Sequence, residues 1–217
     1  MIETKVLEKA IEEIENKNFD MTKQFLEIHK IAYDDNKPKI ARIDQDNQDE
    51  TAVYFEVEGE RFYYVVYVSL KPTVSVRWTN TAPNHSVYFY ASSDQFSLKE
   101  LSEFTKLTPT QGWNKGDRPR PNAGVLTHST IILEPNPEAA EFEEKLNKLL
   151  DYLEQDKDGV AKLASNNTDF GIHAGSFFHN GNTSIGSYSI NKEQIKRMSD
   201  LNLDFHADIY AEGNFFK

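Results

Sequence analysis

Lys115, Asp117, Arg118 and Arg120 follow closely on Trp113, in the stretch "GWNKGDRPRPNAG". Guanidinium groups pair bidentately with carboxylate or phosphate oxygens, and an indole is a strong anchor for a partner. Pro119 and Pro121 stiffen Arg118-Pro-Arg120-Pro towards polyproline II, which would hold both guanidinium groups out in solvent. Trp113, Lys115, Asp117, Arg118 and Arg120 are therefore the candidate binding residues, suited to a small anionic ligand or a carboxylate on a partner. A structural reading competes: Lys115-Gly116-Asp117 is ordinary turn chemistry, and Trp113 could simply pin the loop.

A second group is histidine-based. His206 and Asp208 stand two apart in "LDFHADIY" and so share a face of a strand. With His173 or His179 they could offer imidazole and carboxylate ligands to a metal. No His-Glu-x-x-His motif supports this, and a strand with Phe205, Ala207 and Ile209 turned inward would leave His206 and Asp208 on a hydrated face. No metal or other cofactor is expected. Cysteine is absent, which removes disulfides, thiolate catalysis and cysteine-based metal sites together. No serine lies in a Gly-x-Ser-x-Gly elbow, since Gly175-Ser176 falls inside an alternating stretch. "GVAKLAS" lacks phosphate-loop spacing, and Gly171, Gly175, Gly181 and Gly186 fit hairpin and close-packing positions better than a dinucleotide fingerprint. The tyrosines Tyr54, Tyr63, Tyr64, Tyr67, Tyr88 and Tyr90 read as core or cross-strand pairs. Glu138, Glu141, Glu143 and Glu144 read as charge at the start of a helix.

Elements must position these groups. Ile2, Val6, Ala10, Ile11 and Ile14 recur at helical spacing, and Met21, Phe25, Ile28 and Ala32 do so again. Beyond "DDNKPK" the period becomes two: Val53, Phe55 and Val57 alternate, Glu58-Gly59-Glu60 turns, "RFYYVVYVS" returns, and Pro72 opens a strand whose Val74, Val76 and Trp78 share one face. After "NTAPNH" come a strand "SVYFYASS", a capping box Ser97 to Glu100 starting a helix with Leu98, Leu101 and Phe104, the patternless Leu107–Thr130, and a strand "STIILEP". Asn136-Pro137 caps a helix with Phe142, Leu146, Leu149, Leu150 and Leu153. Phe170, Ile172, Ala174 and Phe178 lead to a hairpin at Asn180-Gly181 with "SIGSYSI" returning; Asn191 starts a last helix, and "LDFHADIY" closes as a strand. The fold class is α+β: a two-helix plus antiparallel meander unit over 1–84, then a ferredoxin-like sandwich, duplicated in one version, over 85–217.

The formal charge of −11 argues against nucleic acid, because phosphates need cations that release counterions. Before residue 84 there are 11 basic and 16 acidic side chains and after it 13 and 19, so neither half is a basic arm. The start has no basic segment followed by an apolar core, and no stretch approaches the roughly 18 apolar residues of a membrane span; a cytoplasmic protein is expected.

"SLKELSEFTKL", Thr108-Pro109-Thr110, Lys115-Gly116-Asp117 and the closing "MSDLNLDFHADIYAEG" resemble an uncharacterised bacterial family, domain of unknown function 4279, over roughly residues 85–215. Members often open the strand after the loop with tryptophan, where this chain has His128-Ser129-Thr130. The resemblance implies no activity. The functional expectation is a non-enzymatic interaction module with an unidentified protein partner, a basic one in one version, including an immunity-like role against a toxin. The alternatives are a small-anion site at Lys115–Arg120 and a metal-dependent enzyme using His173, His206 and Asp208.

Overall fold

The computed structural model describes residues 2–119, 121, 124–166, 169–182 and 188–216. Two helices open it, α1 (Ile2–Asn16) and α2 (Asp20–Ile28). Val6, Ala10 and Ile14 form the buried stripe of α1. Phe19, at the N-cap of α2, makes no side-chain cap. The buried carboxylate of Glu13 fills that role from α1, accepting from the Phe19 amide at 3.0 Å and the Thr22 hydroxyl at 2.6 Å.

A two-residue ladder follows, β1 (Tyr33–Asp34) with β2 (Lys37–Pro38). Then an antiparallel meander runs β3 (Ile40–Asp44), β4 (Glu50–Glu56), β5 (Tyr63–Ser69) and β6 (Ser75–Ala82) in that order. Val53, Phe55, Val66 and Val68 face α1 and α2, while Ala52, Tyr54 and Val65 form a second cluster on the opposite face. Val74, Val76 and Trp78 do not share a face as the alternation suggests. The register slips at a bulge, so that Val76 opposes Val68 but Trp78 opposes Tyr67 and stacks on it at 3.7 Å.

Pro83 separates β6 from β7 (Asn84–Ser93), which enters the second sheet. There follow α3 (Leu98–Glu103), β8 (Gln111–Trp113), β9 (Ser129–Leu133), α4 (Phe142–Leu153), a 3₁₀ turn (Glu154–Asp156), α5 (Lys157–Ser165), β10 (Asp169–His179), α6 (Lys192–Asp200) and β11 (Phe205–Glu212). The strand order is β11-β10-β7-β9-β8; only β10 and β11 run parallel. The strands β7 to β10 with α3 and α4–α5 make one βαββαβ set, and α6–β11 extends it. The capping boxes Ser97/Glu100 and Asn191/Gln194 are both formed.

Four expectations change here. Leu107–Thr130 contains the short strand β8. The helix expected from Asn136-Pro137 starts only at Phe142, because Asn136 is buried and its carbonyl accepts the Lys145 ammonium at 2.8 Å. Among the described residues no hairpin forms at Asn180-Gly181: β10 is flanked by β7 and β11, so neither edge is free for a returning strand. Residues 188–190 are irregular, and 183–187, with Gly186, lie outside the described residues. Finally, of the residues expected to turn inward on β11, Phe205 packs on the core but Ala207 and Ile209 are exposed. Gln194 bonds Asn147, and Arg197 bonds Asp151 and Glu154, so α6 leans on α4 rather than along β11.

The two halves meet through polar contacts. Arg42 reaches Glu144 at 2.8 Å and the Ala139 carbonyl at 3.1 Å, Tyr54 donates to Glu141, and Thr81 donates to Asn182. His29 and His179, both buried, meet Nε2 to Nε2 at 3.1 Å. The Gly181 amide donates to His179 Nδ1, so His179 carries its proton on Nε2 and donates it to His29. Residues 213–216 fold back: Phe216 packs against the N-terminal core, the Asn214 amides reach His29 Nε2 and the Ile28 carbonyl, and a Cβ on Gly213 would stand 2.9 Å from the Phe62 ring.

Candidate functional site

The helices cover one face of the five-stranded sheet. Val87, Phe89, Ala91, Ile131, Leu133, Ile172 and Ala174 point into that core, with Leu146, Leu149 and Leu150 of α4 above them. Strand alternation sends the other parity to the opposite face. There β7 presents Tyr88 and Tyr90, β10 presents His173 and Phe177, and β11 presents His206, Asp208 and Tyr210; none of the seven is buried. No helix packs on this side among the described residues.

Register places the groups in rows. Tyr88, His173 and His206 lie side by side, as do Ser86, Gly175 and Asp208. The Tyr88 and His173 rings stack at 5.1 Å and 26°. His173 Nε2 bonds Asp208 Oδ2 at 3.0 Å, and the Tyr210 hydroxyl donates to the same oxygen at 3.3 Å. That bonding holds the Asp208 carboxyl below its ordinary range, the His173 bond being the main cause. His173 Nδ1 is buried and has no hydrogen-bond partner. Burial raises the Tyr88 and Tyr90 phenols, and neighbouring carboxylates add to the effect. The face is acidic: among the described residues Glu134, Asp169, Asp208 and Glu212 stand on it against Arg61, which reaches in from the turn before β5.

The histidine trio is thus partly assembled. His173 meets Asp208, and His206 is registered beside His173, but no group of three side chains among the described residues could hold a metal ion. His179 lies elsewhere, bonded to His29.

The loop edges the same face. Trp113, on β8, is half-buried and walls a pocket of about 230 Å³ with Ser92, His128, Thr130 and Asp169. A second pocket of about 480 Å³ lies beyond it, lined by Trp113, Asp117, Arg118, Pro119 and Leu126. Arg118 is exposed. Lys115 is tied down: its ammonium donates to the Asp94 carbonyl and its amide to Ser129. Asp117 accepts the Asn114 amide at 2.8 Å, closing a turn in which Gly116 has φ +95°. Arg120, and with it half of the polyproline segment, lies outside the described residues.

Most of the Thr-Pro-Thr to Lys-Gly-Asp stretch is fastening. Thr110 bonds the Ile132 carbonyl through amide and hydroxyl, and Asn114 caps the Leu98 amide of α3. A Cβ on Gly112 would sit 2.8 Å from the Thr130 carbonyl, so only glycine lets β8 close on β9. Sequence reasoning missed the open face as a unit. Its signal was the pairing of Tyr88 and Tyr90 with the polar residues of two distant strands, and only the register reveals that.

The family model described as Domain of unknown function (DUF4279) matches residues 83–212, more than half of the chain. No curated protein and no solved structure matches the chain.

Proposed function

The chain belongs to the DUF4279 family, and we propose that it is a non-enzymatic, cytoplasmic interaction module that takes a protein partner on the open face of its five-stranded sheet. The reading takes the C-terminal unit as a ferredoxin-like sandwich extended by α6 and β11, and the strand order supports that. The observation that carries the reading is the face itself: half-exposed aromatic side chains and carboxylates, with no helix over them among the described residues. Aromatic residues enclosed by a polar rim are what protein interfaces concentrate. Neutralising a basic toxin is one role such a module fills.

A benzophenone amino acid in place of Tyr90, irradiated in native cells, should give a discrete protein adduct, whereas the same group in place of Glu193 on α6 should not. Adducts from position 193 alone would put the partner on the helical layer and defeat the reading.

The pocket of about 480 Å³ beside Trp113 and Arg118 favours one second reading, a small anionic ligand. Its mark would be a thermal stabilisation by anionic metabolites that disappears in Arg118→Ala.

A further inference from the structure

The open face already holds one cation of its own, and the manner of holding identifies what else it would take. Phe177 and Tyr210, opposed in register, stack at 5.0 Å and 15°. Arg61 lays its guanidinium carbon 3.5 Å from the centre of the Phe177 ring and pairs with Glu212 through two nitrogens. Stacking answers the planar cation with a π face and the carboxylate answers its charge; a guanidinium meets both at once because it is flat and weakly hydrated.

The same parts recur four residues along β10. His173 and Tyr88 form the stacked pair, and Asp208 supplies the carboxylate. No cation of this chain lies on them among the described residues. Both hydrogen bonds to Asp208 use Oδ2, so Oδ1 remains for a further donor. Between the two arrangements stands Gly175. The atoms nearest to where its Cβ would be are ring carbons of Phe177 at 3.7 Å and His173 at 3.9 Å, so these rings border the gap from either side. The charge of the face selects the sign of the occupant, since among the described residues three of its four carboxylates have no guanidinium against them.

We propose that Tyr88, His173 and Asp208 receive an arginine side chain from a basic protein partner, as Phe177, Tyr210 and Glu212 receive Arg61. This rests on the interaction reading above and adds the partner's chemistry to it. Lysine would bring the charge without the plane, and a neutral isostere the plane without the charge.

The test titrates the full chain with a blocked heptapeptide alternating glycine and arginine, beside its lysine and citrulline counterparts and free arginine, followed by backbone amide shifts. The arginine peptide should bind about fivefold tighter than the lysine peptide, with citrulline and free arginine far weaker. Tyr88→Leu and Asp208→Asn should each weaken it about tenfold, the order expected for losing a stacked or charge-assisted contact, while Glu193→Gln leaves it unchanged. Equal affinity for lysine and arginine, free arginine matching the peptide, or an unchanged titration in a folded Tyr88→Leu protein would each overturn the proposal. An adduct at position 90 without any arginine preference removes the arginine chemistry alone. Absence of that adduct removes the interaction reading beneath it.

Discussion

The two faces of the five-stranded sheet are built from the same strands by alternate residues, and they are opposites. On the covered face Val87, Phe89 and Ala91 of β7 are at most 2% exposed and lie under α4. On the open face Tyr88 and Tyr90, interleaved with them, remain half-exposed against histidine and aspartate. A strand aromatic is therefore not evidence of a core by itself. What decides its role is the layer the topology brings above it, and α3, α4 and α5 all fall on one side.

The contrast breaks most readily on the covered side. Leu146→Ala, a fully buried position, should cost about 3 kcal/mol in urea unfolding, because the lost transfer energy is joined by a cavity that rigid neighbours do not fill. A loss below about 1 kcal/mol would mean that the helical layer is loosely seated and that the two faces differ less than described.

Acid should come next. His85, on the covered side of β7, is pushed down to about 4 by burial and by the Lys145 charge. His179 is likewise pushed down to about 4 by burial and by His29. Both folded values lie below the ordinary 6.5, so between the two the unfolded chain binds more protons than the folded one. Stability should be fully present above pH 6.5 and fall as pH drops towards 4. The urea midpoint followed across that window, with the His85 imidazole resonance titrating near its lower end, checks this; a midpoint independent of pH from 7 to 4 contradicts it.

The smallest effect belongs to the open face. Tyr88→Leu should change stability by about 0.5 kcal/mol or less, as for a surface position whose ring contacts little of the core. A larger loss would show that the tyrosine supports the sheet, and would also compromise its use as a binding probe.

Much of this architecture could be read in advance where the signal is local. The Ser97 and Asn191 capping boxes, the turn at Gly59 and the change of period after residue 38 each need only neighbouring residues. The misses are non-local. Asn180-Gly181 has hairpin chemistry, but β11 claims the edge of β10 from 25 residues away in parallel pairing, as Asn180's amide bond to the Glu212 carbonyl already shows. The span of 25 is the gap from residue 180 to residue 205. Glu13 has no local mark in the sequence, because its role as the cap of α2 depends on the angle between the helices. The loop residues stand out by composition, yet Lys115 and Asp117 spend their polar groups on the loop and its neighbours. Of that set, Trp113, Asp117 and Arg118 line a pocket with open space.

The fold-back of residues 213–216 bears on synthesis. Phe216, Asn214 and Gly213 complete packing around His29 and Phe62, so the N-terminal sheet and helices are made long before the pieces that finish them. At ribosomal speeds of about 5–20 residues per second, the wait from the end of β6 to Gly213 lasts roughly 7–26 s. For that interval Gly213, Asn214 and Phe216 are not yet made, so the packing they supply around His29 and Phe62 cannot form before the rest of the chain has been synthesised.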